Sequence, residues 1–471
     1  MAAIVTNKFR LTNAEQFYES FTEEAPRYYL FVGRPQPWTA NSGGGSDTAP
    51  PTPLDNVVDE PMYFRDMLAA KRITSSNISY MVPRHTWTSG VTYDYYRGDY
   101  GATVAGSVVT TEAGGTNLWS ASTLNYVINS TNQVWKCLRN RTENGASAIA
   151  STTQPEASVP PTTPTAFADG YVWKYMYTLT TTEITDYLTA DFIPIHTDST
   201  ISAAAVNGGI LHYYVDAGGS GYTDGAFGPI TVYGDGSGAT CTVTVSSGAV
   251  QKVIMVASGG GSLKSEQYTF ATVNIDSISG IGSGTGAVVT PIIPNRGGFG
   301  YNAISELGGY YVATNTTIAG SEGSGDFVVD QDFRRVGIVA NPNNYDGSAA
   351  TASTLNALYT MTFSGTPSGF VNDEVITGGT SGAKGIVVDF NSTTKVLKYI
   401  QTQWTGVIST NNLVAFAALE TVTSTGGSGT IATLTNPEIQ YDSGDTIYVE
   451  DRAPISRATD QTENIKLIVE F

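Results

Sequence analysis

GGSGYTDGAFGPITVYGDGSGATCTVTVSSGAVQKVIMVASGGG, residues 218–261, alternates glycine-rich turns with short runs of Val, Thr, Ile and Tyr. Glycine supplies the positive φ that tight turns demand, and β-branched side chains suit a pleated, half-buried surface, so the stretch reads as hairpins. A degenerate copy follows at residues 266–293, EQYTFATVNIDSISGIGSGTGAVVTPII. Aligning Tyr222-Thr223 with Tyr268-Thr269, and Gly238-Ala239 with Gly286-Ala287, gives offsets of 46 and 48 residues. A third start is expected at GGFGYN, residues 297–302. Units this short cannot bury a core alone, so the copies must stack on one another.

Composition carries the same reading to the rest of the chain. Of 471 residues 51 are Gly, 20 Pro and 27 Tyr, while charged residues make up 14%, against roughly 25% in an average globular protein. The surface is therefore mostly uncharged and polar, and the chain is expected to be mainly β. At roughly 150 residues per domain, the length allows about three domains. Strands are expected at residues 28–32, 134–138, 171–179 and 211–215. In YVWKYMYTL (171–179) apolar residues fill both alternation phases, so both faces should be covered. Helices are expected only at residues 12–20, capped by Thr12 or Asn13 with Glu15 in the first turn, and at 61–73 (PMYFRDMLAAKRI), where apolar positions fall near helical spacing. Everything after Ser79 reads as β, including a small barrel-like or hairpin module around FVNDEVITGGTSGAKGIVVDF (370–390) and a final strand, IKLIVEF (465–471). The organisation expected is one scaffold (1–212, 303–350 and 437–471) interrupted by two inserted β modules (213–302 and 351–436).

Lys plus Arg number 24 against 42 Asp plus Glu, a net charge of −18. Nucleic acid and anionic membrane are therefore not expected as partners, because both require a basic surface that releases counterions. The N-terminus lacks a secretory pattern and no apolar run approaches 18 residues, so synthesis in a cytoplasm is expected. Cys137 and Cys241 are too few for a disulfide framework or a four-ligand zinc site and read as buried thiols.

The chemistry on offer is sparse. His85, His196 and His212 have no metal-ligand spacing, and His85 is expected to pack beside Trp87 and bond to backbone. GSGTGA (282–287) precedes a strand where a dinucleotide fingerprint requires a helix, and GDGSG (234–238) has one carboxylate where calcium needs several; both read as turns. Asp442, Asp445, Glu450, Asp451, Asp460 and Glu463 surround Arg452 and Arg457, and ion-paired crosslinks are the reading preferred over a glycosidase acid pair. Five of the six Trp lie in the scaffold, with Trp38, beside the prolines of GRPQPW, expected to be partly exposed. No cofactor, metal or small-molecule ligand is expected.

Six segments, in order, resemble the baseplate wedge subunit of T4-like contractile-tailed phages, of the gene product eight type. They are AIVTNKFR (3–10), YLFVGRPQPW (29–38), VPRHTW (82–87), DGYVWKYMY (169–177), DFRRVGIVANP (332–342) and GDTIYVEDRAPISRATDQTENIKLIVEF (444–471). The resemblance covers about the first 212 residues, then 303–348 and 437–471, and leaves both glycine-rich blocks as insertions. It implies a β-sandwich scaffold, a homodimer, and a non-enzymatic role in the virion baseplate through contacts with other wedge proteins. Arg34, Trp38, Arg84, Trp87, Arg452 and Arg457, all inside these segments, are the expected structural or contact residues. The rival reading is a receptor-binding or fibre protein whose β modules bind host glycans on aromatics such as Trp404 or Tyr222. A third is a polysaccharide-degrading enzyme using paired carboxylates.

Overall fold

The computed structural model describes residues 4–23, 26–38, 45–142, 147–319, 328, 331–402, 408–409, 412–457 and 462–471. The chain is mainly β and divides into two compact units. One comprises Met1–Glu15, Ser79–Ala313 and Ile468–Phe471, and the other Gln16–Ile78 and Thr314–Leu467.

The second unit is built on a five-stranded antiparallel sheet. Its spatial order is Thr354–Asn356, Met67–Ile73, Tyr28–Gly33, Asp332–Ala340, Asp445–Ser456. Tyr28–Gly33 is central, and side chains alternate across it. Tyr29 and Phe31 enter one core with Tyr63, Phe64, Met67 and Val339. Leu30 and Val32 enter another with Val336, Ile338, Ile318, Ile465 and Leu467. The expected helix over 61–73 is thereby corrected. Only Glu60–Arg65 is helical, Asp66 leaves the helical region at φ −110° and ψ 12°, and Met67–Ile73 is a strand. Met67, Leu68, Ala69 and Ala70 are all buried, and a strand covered on both faces gives an unbroken apolar run that helical spacing also fits.

The block at 351–436 contains a closed six-stranded barrel. Going round it, the strands are Tyr359–Ser368, Val396–Ile400, Lys384–Asn391, Val375–Gly378, Thr421–Thr423 and Ser428–Thr435. Met361, Phe363, Ile376, Val387, Leu397, Val422 and Ile431 fill it.

In the first unit, Gln133–Arg139 and Val172–Thr178 pair at the centre of a four-stranded sheet and are buried on both faces, as both-phase apolarity requires. Trp135, Trp173 and Tyr175 enter one core with Tyr93 and Tyr171, whereas Val134, Met176 and Tyr177 enter the other. The reading of everything after Ser79 as β is corrected by three short helices. Thr181–Asp186 begins in a Thr180/Glu183 capping box, Ser199–Ala203 is capped by Asp198, and Ala303–Leu307 is capped by Asn302. The N-terminal helix is also longer than expected, Asn7–Ser20. Its first turn is held by the Thr6 hydroxyl, which accepts from the Phe9 amide at 3.3 Å, while Thr12 lies inside and donates to the Lys8 carbonyl.

The two copies of the glycine-rich repeat share one core, in which Tyr222, Cys241, Val243 and Val250 meet Tyr268, Val273, Ile281 and Val289. They are locked reciprocally. The Tyr222 hydroxyl accepts from the Ala287 amide at 3.2 Å, and the Tyr268 hydroxyl accepts from the Ala239 amide at 3.3 Å. Each ring thus caps the glycine turn of the other copy. A Cβ on Gly284 would stand 2.4 Å from the Tyr222 ring, and one on Gly236 would stand 2.7 Å from the Tyr268 ring. Gly284→Ala and Gly236→Ala are each expected to destabilise this module by about 1–3 kcal/mol through overpacking, read as a lower urea midpoint. No change in either would mean that the rings yield freely. The third start, at 297–302, is corrected: it is a loop running into the Ala303–Leu307 helix.

Candidate functional site

Three of the six residues singled out in the sequence come together in the second unit. Arg34 follows the Tyr28–Gly33 strand with a left-handed φ of 58°, which turns the chain into the loop carrying Trp38. Its guanidinium lies 5.0 Å from the Trp38 ring centre and donates to the Pro37 carbonyl. The Trp38 indole N–H donates to the Arg452 carbonyl at 2.9 Å. Trp38 is 3% exposed, so its expected partial exposure is corrected: the ring lies under the Arg34 and Arg335 guanidinium groups with its N–H bonded to the edge strand.

Two arginines that the sequence reading passed over organise this cluster. The register of Asp332–Ala340 against Asp445–Ser456 shifts between Phe333 and Arg335, where the single residue Arg334 faces Arg452, Ala453 and Pro454, so the partner strand bulges opposite Arg334. A bulge re-aims side chains, and here both consecutive arginines serve the same neighbourhood. Arg335 grips Asp451 with Nε and Nη2 at 2.7 and 3.2 Å, and its Nη1 reaches both Asp66 oxygens at 3.2 and 3.1 Å. Its face lies 4.5 Å from the Tyr63 ring centre and 5.5 Å from that of Trp38. Arg334 holds Asp47 at 3.0 and 3.1 Å, Asp332 at 2.9 Å, and the Pro35 carbonyl. Asp47 also accepts from the Trp38 amide at 3.0 Å, which ties Arg334 to the Trp38 loop. The signal available in sequence was the RR pair inside DFRRVGIVANP: two charges in an otherwise apolar strand require buried carboxylate partners.

The electrostatics are those of a brace. Burial pushes the Arg34 guanidinium down, with Arg335 adding to the effect and Asp66 opposing it. Burial acts in the same direction on Arg335, but Asp66 and Asp451 outweigh it and hold the charge firmly. Burial raises the Asp451 carboxyl above its ordinary range despite the bond from Arg335. Asp47 is held low chiefly by its bond from Arg334. A cleft of about 120 Å³ opens beside the cluster, lined by Arg34, Trp38, Tyr63, Asp66, Arg335 and Asp451 among others. All four oxygens of Asp66 and Asp451 face one guanidinium, an arrangement suited to crosslinking the Trp38 loop, the Asp66 turn and two strands.

The other three residues stand elsewhere. Arg457 pairs with Glu463 at 2.9 Å and donates to the Val328 carbonyl, so one expected crosslink is present. Arg452 does not take Asp451, which belongs to Arg335; the Arg452 side chain is half-buried. In the first unit, Arg84 donates to the Thr189 carbonyl at 2.8 Å, and the Trp87 indole donates to Ser151 at 3.1 Å. His85 bonds to the Ala121 carbonyl, as expected, and stacks on Tyr126 at 4.6 Å. His196 meets Glu183 at 2.7 Å, and burial, with Arg139 and Arg141 adding to it, pushes His212 down to about 3. Cys137 and Cys241 are buried free thiols. GSGTGA leads into the Thr285–Ile292 strand, and Asp235 of GDGSG accepts from the Thr269 and Phe270 amides as a turn clamp. Trp404 and Asp460 lie outside the described residues. Among the described residues no three of His, Cys, Asp and Glu converge as metal ligands, and no helix is long and apolar enough to cross a membrane.

Residues 3–215 match a family model described as Bacteriophage T4, Gp8. The chain is also 31% identical over 87 residues to the baseplate wedge protein gp8 of Enterobacteria phage T4. That alignment takes in 18% of this chain and 26% of the relative, so the chain spans about a quarter of the length of the curated relative it matches. The resemblance seen in the sequence is borne out over residues 3–215, which include Arg34, Trp38, Arg84 and Trp87. The segments at 332–342 and 444–471 fall outside that span.

Proposed function

We propose, from the match of residues 3–215 to the Gp8 family, that this chain is a structural subunit of a virion tail baseplate, joining neighbouring wedge proteins as a homodimer. That match is the observation that carries the reading. The residue chemistry supports it. With 14% charged residues and 11% aromatics, the surface enters interfaces at low desolvation cost. In this reading the Arg334/Arg335 brace is scaffold, holding in place the strand that offers the Arg452 side chain. The two β modules, 213–302 and the barrel that begins at Tyr359, are insertions into that scaffold, where added loop length costs little; Thr354–Asn356, expected inside the second module, pairs with Met67–Ile73 in the scaffold sheet.

The test is the absolute mass of the purified chain by light scattering, followed by co-sedimentation with neighbouring wedge proteins of the same virion. A mass twice the 49.8 kDa chain, with co-sedimentation, is expected. Arg452→Ala is expected to keep the unfolding midpoint and lose co-sedimentation. A trimer that ignores wedge proteins and binds glycans would overturn the reading in favour of a fibre protein.

A further inference from the structure

The first unit contains a much larger cleft, about 1140 Å³, lined by none of the six expected contact residues. Two cations line it: Lys8, from the N-terminal helix, and Arg296, from the loop that follows the repeat. Both are exposed. No carboxylate stands among the described residues that line it. In a chain of net charge −18, a lining with two positive charges and no acid is a local reversal of sign; Glu266, beside the lining residue Gly261, engages its carboxylate with the Leu263 amide. Low-dielectric walls focus such a field into the cleft.

The wall that carries Arg296 is tied down at four points. Tyr96 donates to the Asn295 side chain at 2.6 Å, and the Gly297 amide donates to Asn207 at 2.8 Å. The Gly300 amide donates to the buried Glu306 carboxylate at 2.6 Å, and Ser202 donates to the Tyr301 carbonyl at 2.7 Å. Loops anchored this way present side chains at fixed positions, which lowers the cost of binding. The same loop exposes Tyr301, 52% accessible, and Trp119 lines the cleft as well.

The geometry points to this cleft as a docking site for an acidic, aromatic-containing peptide segment of a neighbouring protein. Its acidic side chains would pair with Lys8 and Arg296, and its apolar ones would pack on Trp119 and Tyr301. Charge complementarity selects the occupant. A neutral sugar is disfavoured because it would leave both positive charges unanswered, and the side-chain oxygens of Asn207, Asn295 and Asn302 are already engaged by the loop and its helix. This inference does not depend on the baseplate reading.

The experiment is calorimetric titration of the full chain with a synthetic octapeptide alternating Asp and Tyr, and with its Asn-for-Asp counterpart. The acidic peptide is expected to bind at least tenfold more tightly, with affinity falling as salt rises. The double variant Lys8→Gln/Arg296→Gln should lose tenfold or more, and Lys8→Arg/Arg296→Lys should retain binding. Both positions are exposed, so folding is expected to survive and is checked by the unfolding midpoint. Equal affinity for the two peptides, undiminished binding by the charge-free variant, or tighter binding of an oligogalacturonate than of the acidic peptide would each overturn the proposal.

Discussion

Lys136→Met is expected to destabilise the first unit by about 3–5 kcal/mol, the range for removing one partner of a buried ion pair. Lys136 and Glu306 lie 3.1 Å apart at 0% and 1% exposure. The ammonium sits over the Tyr96 ring at 4.2 Å and near that of Phe299 at 5.3 Å. Without it, Glu306 retains one strong donor, the Gly300 amide, amid aromatic surface. Glu306→Gln breaks the same pair from the other side. Burial pushes the Lys136 amine down while Glu306 holds it up, so with Gln in place burial prevails and the amine sheds its proton. An amine whose pKa is lower folded than unfolded takes up a proton on unfolding. Stability therefore rises with pH from the folded value to about 10.4. The Glu306→Gln deficit, measured by urea unfolding against the parent at each pH, should shrink toward the alkaline end. The Lys136→Met deficit should not follow it. The double variant should lie closer to the parent than either single variant, because neither partner of the pair is left charged alone, and the deficit that remains falls on buried Lys174, which Glu306 also holds charged. Simple additivity would show that the pair is not coupled.

How much of this was legible depended on what each residue's neighbours had to be. Tyr28–Gly33 and Val172–Thr178 were readable because the chain itself lists both covered faces. The repeat was readable for the same reason: Tyr222 and Tyr268 recur at nearly the spacing of the two glycine turns. The reciprocal exchange was not readable, since offsets of 46 and 48 residues fit a tyrosine on its own copy as well as on the other. Met67–Ile73 was misread because burial on both faces erases the period that separates strand from helix. The ion pairs were hidden by distance along the chain. Lys136 and Glu306 are 170 residues apart, and Arg335 and Asp66 are 269 apart. A lone charge in an apolar strand announces that a partner exists but not where it stands. The acids near Arg452 were visible as a group, yet Asp451 turned to Arg335 across the sheet because register, not sequence proximity, sets strand neighbours.

Arg335→Leu is expected to be at least as damaging to the second unit, about 3–5 kcal/mol by the same reasoning, and with the opposite pH response. The substitution leaves the Asp66 and Asp451 carboxylates together, with Arg34 still 3.9 Å from Asp66. Burial already raises the Asp451 carboxyl above its ordinary range while Arg335 pulls it down, so losing Arg335 sends it higher. An acid whose pKa is higher folded than unfolded binds a proton on folding. Its cost is full above the folded value and disappears below the unfolded value near 3.9. The Arg335→Leu deficit should therefore be largest at neutral pH and shrink on acidification, where the Glu306→Gln deficit shrinks on alkalinisation. Arg335→Lys should recover only part of the loss, because one ammonium cannot reproduce a two-nitrogen grip on Asp451 together with a reach to Asp66. The same brace fixes the strand bearing Arg452, whose carbonyl holds Trp38. Loosening it should weaken assembly and stability together, whereas Arg452→Ala should weaken assembly alone. A deficit that is flat with pH would mean that Asp451 stays charged without Arg335, and that water or Arg34 takes over its compensation.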